Sequence, residues 1–169
     1  MKLMILDGNS IVNRAFYGVR PLNAPDGTPT NAVYGFLAIL QRMLDEQKPE
    51  AVCYEIEGFE ADDILGAAAA VCERNGWDCV VVTGDKDSLQ LVSNTTSVCN
   101  VKTVRGQTET ILYTPESFRA EYGFAPAQMV DLKALMGDSS DNIPGVPGIG
   151  EKTALDLVRW YGTVDRIYS

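Results

Sequence analysis

Eight carboxylates recur in short clusters along the chain: Asp7 after an apolar run, Glu60, Asp62 and Asp63 in EADD, Asp85 and Asp87 in GDKD, and Asp138 and Asp141 in GDSSD. Their side chains offer only oxygen, the ligand atom that hard cations such as Mg²⁺ or Mn²⁺ select. Histidine is absent, and the four cysteines (Cys53, Cys72, Cys79 and Cys99) form no C-x-x-C pair. A zinc centre, a disulfide framework and a Ser-His or Cys-His nucleophile therefore do not fit. Catalysis in this chain would run on carboxylates, hydroxyls, lysines and hard cations. Crowding such acids is costly on its own, because two carboxylates about 4 Å apart repel by roughly 4 kcal/mol at an effective dielectric of 20. Two divalent ions roughly 4 Å apart would offset that cost, and could activate a water and stabilise the leaving oxygen of a phosphodiester. Each cluster alone has a plainer account: acids at a helix start complement the helix dipole, and Asp85 and Asp87 read equally well as loop acids.

The last cluster runs into a Gly/Pro-rich hairpin, GDSSDNIPGVPGIGEKTA over residues 137–154. Gly137 suits the position that ends a helix over about 127–136. Gly145, Gly148 and Gly150, with Val146 and Ile149 between them, let backbone N–H groups approach a ligand closely, and the helix that follows turns its positive end towards that ligand. A phosphate fits such a site, with Lys152 adding a point charge and Thr153 beside it. The pattern reads as a helix-hairpin-helix, which grips nucleic acid through phosphates and reads no bases; a tight interhelical turn is the plainer alternative. Residues 145–153 nearly spell a P-loop, but Glu151 separates Gly150 from Lys152 and no strand precedes Gly145, so triphosphate binding is disfavoured.

Strands and helices alternate so as to place these groups. Lys2–Leu6 is an apolar strand ending at Asp7, and Asn9 or Ser10 can cap a helix to Tyr17. Residues 20–30 are a Pro/Gly loop; Asn31–Gln47 has helical apolar spacing; Ala51–Cys53 begins a second strand. Residues 60–74 form an alanine-rich helix, 79–83 a β-branched strand, and 97–101 and 110–113 two short strands with a turn near Gly106. Thr114 caps the next helix. Alternation of this kind implies an α/β, largely parallel sheet, whose strand carboxyl ends form the ligand edge. The acids fall at that edge.

The 169 residues suffice for one domain with a small helical appendage. There is no secretory signal and no apolar run of membrane-spanning length, so the expected setting is cytoplasmic with no membrane partner. The net charge of −9 argues against a polyanionic partner unless bound cations reverse the local potential.

LDGNSIVNRAFYG, PTNAVYGFLAIL, EGFEADDILG, VVTGDKDSLQLV and LKALMGDSSDNIPGVPGIGEKTA together resemble the 5′-nuclease (flap endonuclease-like) family, most of all the branch found as the 5′–3′ exonuclease domain of bacterial DNA polymerases I. The resemblance spans nearly the whole chain. It implies a PIN-like α/β fold with helices on both faces of the sheet, divided into a catalytic core over 1–125 and a helix-hairpin-helix region over 126–169. The implied activity is metal-dependent phosphodiester hydrolysis at DNA 5′ ends and flaps, in replication and repair. Nicked or duplex DNA and RNA primers are the implied substrates, and a polymerase, fused or separate, the implied partner. By motif, Asp7, Glu60, Asp62 and Asp85 match one metal cluster and the catalytic acids, Asp87, Asp138 and Asp141 match a second, and Asp63 an outer position. The hairpin would hold duplex DNA, with room for K⁺ at its carbonyls, and Arg14 and Tyr17 would approach the scissile strand.

The chain also departs from the family. Cys53 passes directly into Tyr54 and Glu55, where the family continues into an aspartate and a long basic segment, the helical arch. Some tens of residues are therefore expected to be missing, with two strands fused into one, and the family's last helices are expected to be absent. A DNA-binding remnant without activity and a PIN-type ribonuclease remain as alternatives. A phosphatase with an aspartyl nucleophile is disfavoured, because Asp7-Gly8-Asn9 has no second aspartate.

Overall fold

The computed structural model describes residues 1–53, 60–104, 107–139 and 142–169. Among these residues five strands, β1 (Lys2–Leu6), β2 (Ala51–Cys53), β3 (Asp78–Thr83), β4 (Thr96–Val104) and β5 (Gln107–Tyr113), form one sheet in the order β2-β1-β3-β4-β5. The pairings of β1 with β2, β1 with β3 and β3 with β4 are parallel. β5 returns antiparallel to β4 at the far edge. β3 carries Cys79, Val80, Val81, Val82 and Thr83, all buried, as a strand covered on both faces must be.

Helices lie on both faces. α1 (Gly8–Gly18) and α2 (Asn31–Gln47) cover one face with a cluster built on Met4, Leu6, Ile11, Ile39, Met43, Val80 and Val82. α3 (Ala61–Asn75), α4 (Pro115–Tyr122), α5 (Met129–Met136) and α6 (Glu151–Tyr161) contribute to the other, around Ile5, Leu65, Val81, Leu89, Phe118, Leu132, Leu135 and Val158. Fully burying one such side chain is worth roughly 1.5–3 kcal/mol. A short α7 (Val164–Ile167) follows α6. No helix among the described residues is long and apolar enough to cross a membrane.

Three local features differ from the sequence reading. The cap of α1 is Asp7, not Asn9 or Ser10: its Oδ1 accepts the Ser10 N–H at 3.0 Å, leaving Ser10 Oγ to accept the Gly84 N–H at 3.1 Å. β4 and β5 run longer than the short strands read from 97–101 and 110–113, because their pairing extends out to Val104 opposite Gln107 and satisfies backbone groups that polar side chains alone make look like loop. Asp87, a loop acid in the plainer account, begins a 3₁₀ turn over Asp87–Leu91. Thr114 does cap α4, in a reciprocal pair with Ser117. The turn expected near Gly106 and the fused strand beyond Cys53 fall on 105–106 and 54–59, outside the described residues.

Candidate metal centre

Leu6 pairs with Val82 and the Asp7 N–H bonds the Val82 carbonyl at 2.9 Å, so the carboxyl ends of β1 and β3 lie side by side. Thr83 links the acids there. Its hydroxyl donates to Asp7 Oδ2 at 2.9 Å and accepts the Asp85 N–H at 3.0 Å, while Asp85 Oδ1 accepts the Asp87 N–H at 2.9 Å. Asp7 is buried; Asp85 is exposed and Asp87 half-buried. Glu60, Asp62 and Asp63 are exposed at the start of α3.

Asp62 reports the convergence of these groups. Burial, followed by the charges of Asp85, Asp7, Asp87 and Glu60, holds its carboxyl above the ordinary carboxylate value. Because the side chain still reaches solvent, water screens much of this repulsion. The five acids thus stand within electrostatic range. Among the described residues, no three of them close around a single point as a ready-made metal shell. Oxygen-only donors that repel one another are nonetheless the donor set a hard divalent cation requires.

Asp138 follows α5, and its backbone pairs both ways with Ile143, at 2.9 and 2.8 Å. Lys133 joins it to the rest: its ammonium lies 2.6 Å from Asp87 Oδ1 and also donates to Asp138 Oδ2. Burial pulls the Lys133 ammonium down, but the Asp138 and Asp87 carboxylates outweigh it, and the net shift is upward. Asp141 lies outside the described residues.

Arg14, Gly84, Asp85, Lys86, Asp87, Asn100, Lys102, Lys133 and Asp138 line a cavity of about 690 Å³. The Arg14 guanidinium donates to the Gly84 carbonyl. A second cavity, of about 480 Å³, lies along α1 beside Arg14 and Tyr17, and Tyr17 is 83% exposed. Thr83, Lys86, Asn100, Lys102 and Lys133 escaped the sequence reading. Lys133 alone left a signal there, five residues before Asp138 and so on the helix that delivers it.

The hairpin divides its labour. A side chain at Gly145 would meet the Met136 carbonyl carbon at 2.4 Å, so Gly145 seats the hairpin against the end of α5. Val146 and Ile149 pack on the core, and their N–H groups bond the Leu135 and Val146 carbonyls at 2.8 and 3.0 Å. Gly148 and Gly150 face open space. Among the described residues no side chain caps α6, and Lys152 and Thr153 are exposed in its first turn. What remains open to a ligand is this helix start.

Comparison with known proteins identifies the family to which the chain belongs. The family model described as 5′-3′ exonuclease, N-terminal resolvase-like domain, matches residues 2–54 and 50–123. That described as 5′-3′ exonuclease, C-terminal SAM fold, matches 124–169. The chain belongs to the 5′-3′ exonuclease family. DNA polymerase I of Bacillus subtilis is 37% identical over 213 aligned positions, covering 98% of this chain and 24% of the polymerase. That of Mycobacterium leprae is 38% identical, covering 96% and 23%. The chain thus spans about a quarter of the length of the curated relatives it matches. A T5 5′-exonuclease superimposes with a TM-score of 0.66 at 21% identity, covering 98% of this chain and 75% of that one. A bacteriophage T5 flap endonuclease in complex with DNA and metal ions gives 0.67 at 17%, covering 99% and 78%. These two likenesses establish the PIN-like nuclease fold.

The exonuclease match also breaks where the sequence does. Residues 50–54 are claimed by both halves of the N-terminal family model. An alignment of 213 positions against 169 residues leaves at least 44 positions (213 less 169) with no residue of this chain.

Proposed function

We propose that this exonuclease-family chain hydrolyses phosphodiester bonds at DNA 5′ ends and flaps with the help of divalent metal ions. The observation that carries the reading is the hydrogen-bonded chain from Asp7 through Thr83 to Asp85 and on to Asp87 at the carboxyl edge of a parallel sheet, with Asp62 in electrostatic range of these acids. Asp7, Glu60, Asp62 and Asp85 would hold one Mg²⁺ or Mn²⁺ as the catalytic acids, with Asp63 behind them. Asp87, Asp138 and Asp141 would hold a second. When bound, the ions would supply an activated water and charge stabilisation at the leaving oxygen. Thr83 fixes the rotamer of Asp7 and the backbone at Asp85. Arg14, Lys86 and Lys102 supply positive charge to the same cavity, where a scissile phosphate would be held by charge-assisted hydrogen bonds, and Tyr17 offers an exposed ring on which a base can stack.

The hairpin and the start of α6 would form a helix-hairpin-helix that holds duplex DNA through Gly148, Gly150, Lys152 and Thr153, with K⁺ at its carbonyls. The core would then end near residue 125, with the DNA-holding region after it. Nicked DNA and RNA primers are further substrates under this reading, the setting is cytoplasmic, and the chain would act with a polymerase.

The test is cleavage of a 5′-labelled flap duplex with Mg²⁺ or Mn²⁺, beside Asp85→Ala/Asp138→Ala. Metal-dependent cutting lost in the double variant is expected. Duplex binding by a folded protein with no cutting would instead select the second reading, a DNA-binding remnant. That reading is favoured by the 44 or more positions of the relatives that this chain lacks.

A further inference from the structure

Lys133 stands between Asp87 and Asp138 and pairs with both. The three side chains form the partition between two cavities, since all of them line both the 690 Å³ cleft and a neighbouring cavity of about 360 Å³ bounded by Gln90, Met129 and Ile143. All three are half-buried, so solvent screens their charges only in part. Two carboxylates converging on one point repel unless a cation lies between them, and here the chain supplies that cation itself. A lysine ammonium is a compact point charge on a flexible stem, well suited to fill such a position and to leave it.

We propose that Lys133 is a built-in counter-ion for Asp87 and Asp138, holding the place of the second divalent cation until that ion displaces it. The displaced ammonium remains in the 690 Å³ cleft, available to an incoming phosphate. The inference rests on the reading of these acids as metal ligands. Its consequence is a weak second site: the apparent affinity falls by the fraction of time that the lysine is out of the way, so a lysine absent one-tenth of the time weakens binding about tenfold.

Mn²⁺ binding, followed by calorimetry and by paramagnetic resonance of the free ion, tests this without any turnover. Wild-type protein is expected to show a tight and a weak class of site. Lys133→Met should tighten the weak class about tenfold, and Lys133→Met/Asp138→Asn should abolish that gain. Lys102→Met removes an equal charge from the same cavity outside the ion triad and should give a much smaller shift. An unchanged weak class in Lys133→Met, or an equal gain in Lys102→Met, overturns the inference while leaving the metal reading intact. No Mn²⁺ bound by any of the proteins overturns both. Wild-type protein gives an independent readout if Lys133→Met fails to fold: the Lys133 side-chain methylene resonance should move as Mg²⁺ fills the weak class and stay still during the tight one. Movement with the tight class alone, or none, overturns the inference.

Discussion

Asp7 caps α1 with one carboxylate oxygen and takes the Thr83 hydroxyl with the other, so a residue proposed to hold metal is also part of the scaffold. Its replacement would confuse loss of folding with loss of chemistry. Asp62 is the cleaner probe, because it is exposed and accepts no such bonds among the described residues. Its carboxyl is held above the ordinary value of 3.8, so the folded protein binds that proton more tightly than the unfolded chain does. Ionising Asp62 therefore costs stability; the penalty is absent well below 3.8 and develops as the pH rises through the raised value. Asp62→Asn should make the metal-free protein more stable at pH 7, by less than about 1 kcal/mol after solvent screening. The difference should vanish near about pH 3, and thermal melts with a chelator across that range would check it. A variant that melts lower than wild type at neutral pH would contradict the repulsion described above. At this scale the acids were legible because carboxylates in short runs stand out in any sequence. Thr83, Asn100 and Lys102 were not, since a threonine, asparagine or lysine on a strand carries no mark until the fold sets it at the edge where the acids gather.

In the hairpin, the residues that set its shape differ from those proposed to grip DNA. Gly145→Ala would press a methyl group into the backbone at Met136 and Gly137, where neither side can yield easily. The expected cost is about 1–3 kcal/mol, seen as a lower urea midpoint together with weaker duplex binding. Lys152→Met should leave the unfolding free energy within about 0.5 kcal/mol of wild type. It should weaken duplex binding alike for all sequences and reduce the salt slope of binding by about one, and a slope equal to that of wild type would remove α6 from the interface. Helices and inner strands were readable from periodicity and caps. The full lengths of β4 and β5 were not, because an antiparallel pair at a sheet edge tolerates residues such as Lys102 and Glu109 that an isolated strand would not advertise.

On the scale of the whole molecule, a net charge of −9 accompanies a cleft proposed to take a polyanion, and the missing segment is the part expected to be basic. Restoring the corresponding segment of the Bacillus subtilis relative after Cys53 should raise flap cleavage at least tenfold under equal Mg²⁺, with little change in the melting temperature of the core. No gain over a measurable basal cleavage would overturn the role expected for that segment. The seam was visible in the sequence as two strand motifs run together, and its position explains why the remaining fold persists. β2 is the outermost strand on its side of the sheet, three residues long and paired only with β1 among the described residues. Lengthening or shortening the chain just beyond it leaves the registers of β1, β3 and β4 untouched. That makes the seam a splice port: substrate-handling segments of different length and charge can be exchanged there as cassettes, and new chain termini could be opened there in a circular permutant, while the carboxylate edge is rebuilt unchanged each time.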